Sequence, residues 1–118
     1  MISLITCTGD RPECFARCER FVNRMYGLHG WEWIIVDDGH VPTDMPLDLP
    51  STHIRRPPST DVRDSFRENL KAALTAARGE HIFVIEDDDW YSPTHVVRLG
   101  AKLDTFDLVG EAHAKYYH

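Results

Sequence analysis

The sequence predicts an α/β fold, a three-layer sandwich in which a mostly parallel sheet carries helices on its faces. Short apolar, β-branched runs alternate with longer amphipathic segments along the chain, and this alternation is typical of parallel strands joined by helices. The 118 residues, with 42% hydrophobic and 27% charged side chains, suffice for one hydrophobic core. We therefore expect one domain that spans residues 1–118.

The first half of the chain predicts three strands and one helix. The run 2–8 is apolar and β-branched, which favours a buried strand. Asp10 as a cap and Pro12 in the first turn predict a helix that continues to about residue 26. Residues 31–36 form the next predicted strand, residues 40–50 a surface loop, and residues 52–55 a short third strand.

The second half predicts two helices and two strands. Residues 60–78 show a helical stripe, and a cap at Ser59, Thr60 or Asp61 starts this helix. Residues 81–85 form a strand, and Ser92 with Pro93 predicts a helix that reaches about residue 103. Residues 106–117 predict a last strand. The stripe of the 60–78 helix consists of Val62, Phe66, Leu70, Ala73, Leu74 and Ala77.

Composition narrows the classes of function. The net charge is −6 and no basic run exceeds Arg55-Arg56, which disfavours binding to a nucleic-acid backbone. No apolar run approaches the ~18 residues of a membrane span, and the start lacks a basic signal-peptide region. We expect a cytoplasmic protein without a transmembrane segment. Its thiols, Cys7, Cys14 and Cys18, are expected to be reduced and to line the core.

Three polar segments follow predicted strands: residues 8–11 (Thr-Gly-Asp-Arg), residues 37–39 (Asp-Asp-Gly) and residues 86–89 (Glu-Asp-Asp-Asp). The carboxyl ends of parallel strands lie on one edge of a sheet, where ligands of open α/β folds bind. We therefore expect the three segments, with Thr8, Asp10 and Arg11 in the first of them, to lie together at a ligand site.

Four adjacent carboxylates repel one another, and a cation removes this repulsion. Hard oxygen ligands suit Mn²⁺ or Mg²⁺ bound to a diphosphate, and we assign Asp88 as the metal ligand. Asp87 is suited to ribose hydroxyls, and Asp37 or Asp38 to a base ring. Positive charge for a phosphate or a base carbonyl is available from Arg63 and Arg67 on the 60–78 helix.

Each of these features also has a purely structural interpretation. An acidic run is commonly a solvated loop, Asp-Asp-Gly a turn, and two arginines four residues apart a solvent-facing stripe. A receiver-like signalling domain would need an acidic pair after the first strand, where this chain has Asp10 alone. Convergence at one edge favours the ligand site over these alternatives.

The chain resembles the nucleotide-sugar half of a family 2-like glycosyltransferase of the GT-A fold, a Rossmann-like nucleotide-diphospho-sugar transferase fold. The resemblance rests on residues 2–12, 33–39, 69–80 and 82–93, and it extends to about residue 110. The Asp-x-Asp motif of that family corresponds to Glu86-Asp87-Asp88, with Glu in the first position. Pro93 also follows this acidic strand end, as in the family.

The resemblance implies a metal ligand at Asp88, a ribose contact at Asp87 and a base contact at Asp38 or Asp37. It also implies nucleotide contacts at the end of the first strand, by Thr8, Asp10 and Arg11, and by either Arg63 or Arg67. It implies a UDP-sugar as the favoured donor, and transfer of a hexosyl group to an acceptor that the sequence does not identify. The family's catalytic base lies in an acceptor-binding half, which residues 90–118 do not replace, so we expect a truncated or minimal version. The alternative is a non-catalytic nucleotide-sugar-binding module that depends on a partner chain or a further region. Whether the chain forms a homo-oligomer is left open.

Overall fold

A computed structural model of the protein describes residues 1–46, 48–112 and 115–116. Strands and helices alternate along it, as predicted. The elements are β1 (Ile2–Thr8), α1 (Pro12–Asn23), β2 (Trp31–Asp37), β3 (Ser51–Arg55), α2 (Val62–Ala76), β4 (His81–Val84), β5 (Asp89–Trp90), α3 (His95–Leu103) and β6 (Lys115–Tyr116). In the described ranges no helix has the length and apolar character needed to cross a bilayer.

The main sheet has four strands in the order β3-β2-β1-β4, and every neighbouring pair is parallel. Ile5 of β1 faces Ile34 of β2 and Val84 of β4. The α/β class and the parallel sheet are thereby confirmed. β5 and β6 form a separate antiparallel pair.

The prediction of a strand from residue 106 onward is wrong over residues 106–112. The backbone there forms bends and irregular structure. Phe106 is 58% and Leu108 is 89% exposed, so these apolar side chains do not mark a buried strand. Within the predicted range the structure has only β6, and residues 113, 114, 117 and 118 lie outside the described part.

Side chains from the two faces of the sheet enter two separate cores. On one face Leu4, Trp33 and Phe83 pack against α1 and α3, and the Trp33 ring stacks on Phe15 with centroids 5.6 Å apart. On the other face Ile5 and its neighbours pack against Ala73 of α2. Burial of each large apolar side chain contributes about 1.5–3 kcal/mol. Helices on both faces make the sandwich three layers deep.

The expectation that the cysteines line the core is confirmed for Cys18, which is fully buried in the core between the sheet, α1 and α3. Cys14, on the same helix, is only partly buried, and so is Cys7 in β1. All three are free thiols.

The predicted caps of two helices are wrong. Arg11, with no side-chain cap, precedes α1, and Asp10 instead adopts a left-handed conformation with φ of 54°. Its carboxylate accepts hydrogen bonds from amides of the loop after β2, and these replace the hydrogen bond that a helix cap would accept from α1. α3 begins at His95, after Thr94 and without a side-chain cap, so Ser92 and Pro93 precede the helix.

α2 begins as one of the predicted alternatives has it, because the Asp61 side chain accepts a hydrogen bond of 2.9 Å from the Arg63 amide. Its predicted apolar stripe is wrong at the N-terminal end. Val62 is 84% exposed, whereas Asn69 and Ala73 are the buried positions. The first turns of α2 therefore project beyond the sheet.

A polar network ties the strands together at the amino-terminal edge of the sheet. Glu32 of β2 accepts hydrogen bonds from the Ser3 hydroxyl at 2.7 Å, and from the Arg78 amide and guanidinium at 2.7 to 3.0 Å. Burial would raise the pKa of Glu32, but these hydrogen bonds outweigh it and lower the pKa. The carboxylate thus fastens β1, β2 and the α2–β4 connection at the edge opposite the acidic residues.

Candidate functional site

The ends of β1, β2 and β4 meet at the carboxyl edge of the sheet. The Thr8 hydroxyl donates a hydrogen bond of 2.8 Å to Asp87, 79 positions away. Gly9 lies against Asp38 so closely that a Cβ atom at Gly9 would stand 2.5 Å from an Asp38 carboxylate oxygen. The three polar segments of the sequence are therefore neighbours in space, because the parallel sheet brings their strands to the same edge.

A cleft of about 350 Å³ opens at this edge. Its volume falls within the range of small-molecule sites. The β1–α1 loop and the β2–β3 loop form one side, and the exposed first turns of α2 form the other. The lining residues are Cys7, Thr8, Gly9, Asp10, Arg11, Asp38, His40, Pro58, Ser59, Val62, Ser65, Phe66 and Asn69.

Hydrogen-bonding groups of α2 enter the cleft. The Ser65 hydroxyl donates a hydrogen bond to Asp38, and the buried Asn69 accepts one of 2.8 Å from Arg56 through its side-chain oxygen. Ser65, Asn69 and His40 are cleft residues that the sequence did not predict. Ser65 and Asn69 are four residues apart on α2, and this helical spacing was the available signal.

Asp37 and Asp38 have different surroundings. Asp37 is fully buried and accepts hydrogen bonds from the amides of Gly39 at 2.9 Å and Thr43 at 2.7 Å. Arg55 lies 2.8 Å from the same carboxylate. Burial would raise the pKa of Asp37, but these three partners outweigh it and lower the pKa. Asp37 thus holds the β2–β3 loop in place, and Asp38 is the one that lines the cleft.

Asp10 joins the two loops at the rim of the cleft. Its carboxylate accepts hydrogen bonds from the His40 and Val41 amides at 2.8 and 3.3 Å, and it lies 2.7 Å from Nδ1 of His40. The hydrogen bonds from His40, followed by that from Val41, lower the pKa of Asp10 to about 2. The carboxylate is therefore ionised at neutral pH.

Arg11 connects the cleft with the acidic segment. It lines the cleft, while its guanidinium lies 2.7 Å from Asp87 and 3.4 Å from Asp88. Asp87 is 1% exposed and Asp88 is 41% exposed. The 2.7 Å contact of Arg11 is made by its Nη2 to Oδ1 of Asp87, a buried oxygen.

The carboxylates of Glu86, Asp88 and Asp89 form a compact group, with one oxygen of each within 4.8 Å of the others. Burial, followed by repulsion from Asp89 and Asp88, raises the pKa of Glu86, and burial followed by Asp88 raises that of Asp89. Burial is also the main cause that raises the pKa of Asp87, against Thr8 and Arg11. Three hard oxygen donors at this spacing fit a divalent cation such as Mn²⁺ or Mg²⁺.

Arg63 and Arg67 lie away from the cleft lining. The Arg63 side chain is 94% exposed and lies 3.8 Å from Asp61. Arg67 pairs with Asp64 at 2.8 Å and with Glu68 at 3.3 Å. Of the two predicted cationic positions, neither contacts the acidic segment.

No protein-family model and no curated protein matches the sequence. Its fold is similar to that of two crystal structures of S. aureus TarS, one of residues 1–349 and one of a longer TarS chain. Each has a TM-score of 0.70 and 18% sequence identity over 87% of this chain. TarS is a family 2 glycosyltransferase. The expected GT-A fold is thereby confirmed. The aligned region spans 32% of the shorter TarS chain and 19% of the longer one.

Proposed function

We propose that this chain binds a nucleotide-diphospho-sugar, with a UDP-sugar favoured, and forms the donor-binding part of a metal-dependent glycosyltransferase. One observation carries the proposal. A cleft with base-sized volume leads, through Arg11, directly to a group of acidic side chains that fits a divalent cation. A nucleoside diphosphate has the matching sequence of parts, from base through ribose to a charged diphosphate.

In this proposal the base lies between the two loops and α2. Asp38 accepts a hydrogen bond from a ring N–H, as the imide of uracil offers, and the neighbouring Ser65 hydroxyl is free to turn to a carbonyl oxygen of the base. Phe66 and Val62, both exposed in the cleft, offer apolar surface to the ring. The ribose hydroxyls lie next to Asp87, which the Thr8 hydroxyl and Arg11 hold beside the cleft.

Asp88 is the proposed metal ligand, with Glu86 and Asp89 beside it as supporting acids. A bound Mn²⁺ or Mg²⁺ would neutralise the diphosphate and stabilise it as the leaving group. Arg11, half exposed and next to Asp88, adds positive charge at the same place. The chain's own residues thus bind and orient the donor.

Calorimetry with UDP and Mn²⁺ tests this proposal. We expect UDP to bind in the presence of Mn²⁺, and Asp88→Ala to weaken binding at least tenfold, about 1.4 kcal/mol. Asp104→Ala is the matched control, since Asp104 is an exposed aspartate at the end of α3, remote from the cleft lining. Absence of UDP binding, or equal affinity of the Asp88→Ala variant, would refute the metal assignment.

The second candidate is a non-catalytic nucleotide-sugar-binding module. It is kept because the region similar to TarS spans a minor part of those chains. Incubation of the chain alone with a panel of UDP- and GDP-sugars separates the two candidates. Release or transfer of sugar by the chain would rule out the module, whereas binding without turnover would favour it.

A further inference from the structure

A second pocket of about 430 Å³ lies between β4, α3 and the segment 107–111. We call it the second pocket. Its ionisable lining side chains are Glu86, Asp89, Tyr91, His95, Asp107 and Glu111. Its remaining lining is largely apolar and includes Phe83, Leu99 and Val109. It shares no lining residue with the cleft in the part of the chain that the structure describes.

The acidic group separates the two cavities. Arg11 lines the cleft and lies on Asp88, whereas Glu86 and Asp89 line the second pocket. A donor with its base in the cleft and its diphosphate at Asp88 would therefore direct its sugar toward the second pocket. This argument rests on the function proposed above.

His95 gives the second pocket an unused polar group. The residue is 8% exposed, and its ring nitrogens form no hydrogen bond with any described residue; Nδ1 lies 3.8 Å from Glu111. The ring packs edge-on against Tyr91 at 4.8 Å. Burial, followed by Arg98, lowers the pKa of His95, so the imidazole is neutral at pH 7. Such a ring offers one donor and one acceptor to a ligand.

The charge of the second pocket selects against anions. Four carboxylates line it, those of Glu86, Asp89, Asp107 and Glu111, and the described lining residues include no Lys or Arg. Arg98 pairs with Glu111 from outside the lining. The Tyr91 hydroxyl accepts a hydrogen bond of 2.8 Å from the Glu86 amide. It also donates a hydrogen bond to the Asp89 carboxylate. Fixed carboxylates above an apolar wall match the hydroxyls and the C–H face of a neutral sugar.

We propose that the second pocket binds a neutral, hydroxyl-bearing sugar unit of the acceptor, with the His95 imidazole as a hydrogen-bonding partner of one hydroxyl. Phosphorylated or otherwise anionic acceptors are disfavoured there by Asp107 and Glu111, which line the pocket outside the acidic group that would hold the cation. His95 acts as a binding residue, and Val109 and Leu99 contact the apolar face of the sugar.

The probe is methyl β-D-glucopyranoside, added to the ¹⁵N-labelled chain in the presence of saturating UDP and diamagnetic Mg²⁺ and followed by amide chemical shifts. We expect saturable shifts in residues 91–99 and 107–111 at millimolar concentrations, with glycerol 3-phosphate causing none. His95→Phe keeps the ring and removes its nitrogens, and we expect it to weaken glucoside binding at least fivefold. His29→Phe is the matched control, because His29 is not in the lining of the second pocket.

A second variant covers the case in which His95→Phe does not fold. Leu108 is 89% exposed at the rim, so Leu108→Trp narrows the entrance without disturbing the core, and we expect it to weaken glucoside binding as well. No shifts in the wild type, unchanged binding in both variants, or equal binding of glycerol 3-phosphate would overturn the proposal. Displacement of the glucoside by UDP-glucose but not by UDP would assign the pocket to the donor sugar instead, and would also overturn it. The affinity for UDP is measured separately and reports on the cleft. If UDP does not bind, the proposed donor site is wrong; if UDP binds but the glucoside does not, only the proposal for the second pocket is wrong.

Discussion

The two adjacent aspartates at the end of β2, Asp37 and Asp38, have different roles because the strand is one residue longer than predicted. The amino-acid pattern predicts a strand that ends at Val36, which leaves Asp37 and Asp38 as equivalent candidates. The strand continues through Asp37, and the alternation of a strand turns successive side chains to opposite faces. Asp37 therefore points inward with Trp33 and Ile35, and Asp38 is the residue at the cleft.

Asp37→Asn should lower the free energy of unfolding at pH 7 by about 2–4 kcal/mol, because it removes the negative charge from a buried carboxylate that Gly39, Thr43 and Arg55 surround. The folded-state pKa of Asp37 lies below its ordinary value. Its stabilisation is therefore complete above the unfolded pKa of about 3.9 and is lost as the pH falls through the folded pKa. Urea denaturation at pH 7 and at pH 3 measures both effects.

Asp38→Asn is the control for this measurement. Its carboxylate lines the cleft, so we expect it to weaken UDP binding and to change stability by less than about 1 kcal/mol. A stable Asp37→Asn variant with impaired UDP binding would contradict the assignment of the two roles.

At the scale of elements, the β1–α1 and β2–β3 loops meet backbone to backbone. Cβ atoms at Gly9 and Gly39 would stand 2.5 Å from Asp38 and 2.6 Å from the Asp10 amide, respectively, which is closer than side chains tolerate. The hydrogen bonds from His40 and Val41 to Asp10 hold the same junction. Local sequence predicts Asp10 as the cap of the helix that follows it. In the structure, Asp10 instead binds His40, 30 positions away in the chain.

Gly9→Ala should weaken UDP binding by about tenfold or more, because the added methyl group must displace the Asp38 carboxylate from its contact with Ser65. Gly100→Ala is the matched control on α3. Its Cβ would have only an ordinary contact of 3.6 Å with Phe83, so we expect unchanged UDP affinity and a gain of about 0.5–1 kcal/mol in stability from helix propensity. Calorimetry measures the UDP affinity of both variants, and thermal unfolding measures their stability. Wild-type UDP affinity in Gly9→Ala would contradict the prediction, because it would show that the two loops can move apart without loss of binding.

For the whole molecule, the parallel sheet and the placement of the acidic segment at a strand end were predictable. Hydrophobic periodicity is a local property of the sequence, and strands that alternate with helices imply a parallel sheet. The wall that α2 contributes to the cleft was not predictable. Which face of α2 is buried depends on how far the sheet extends beneath the helix, and β1 and β2 support Ala73 but leave Val62 uncovered. Tertiary packing thus turned part of the predicted core stripe into a ligand-facing surface. The roles of Arg63, Arg67, Asp87 and Asp88 remain predictions.

The thiols report on the integrity of the entire fold. Burial, followed by repulsion from Asp38, raises the pKa of Cys7 to about 11. Burial also raises the pKa of Cys18 to about 12, against a hydrogen bond with Thr6 that lowers it. Both shifts suppress the reactive thiolate. At pH 8 we expect iodoacetamide to modify Cys14 first in the native chain. Mass spectrometry of timed samples measures this, and all three thiols should react together in urea.

A Cys14→Ser variant provides the control and should lose the fast phase. Two rapidly labelled thiols in the native wild type would show that the β1 end opens without unfolding of the domain.

The central position of β1 has a consequence for the order in which the molecule is assembled. This strand is synthesised first, yet its neighbour β4 begins only at His81, and the Thr8–Asp87 hydrogen bond closes a loop of 79 positions. A long loop must lose entropy before such a contact forms. A nascent chain that ends before Asp87 can contain the base-binding residues and still lack the diphosphate end of the site. Donor binding should therefore appear late in synthesis, and a ligand present at that stage would favour completion of the sheet by mass action.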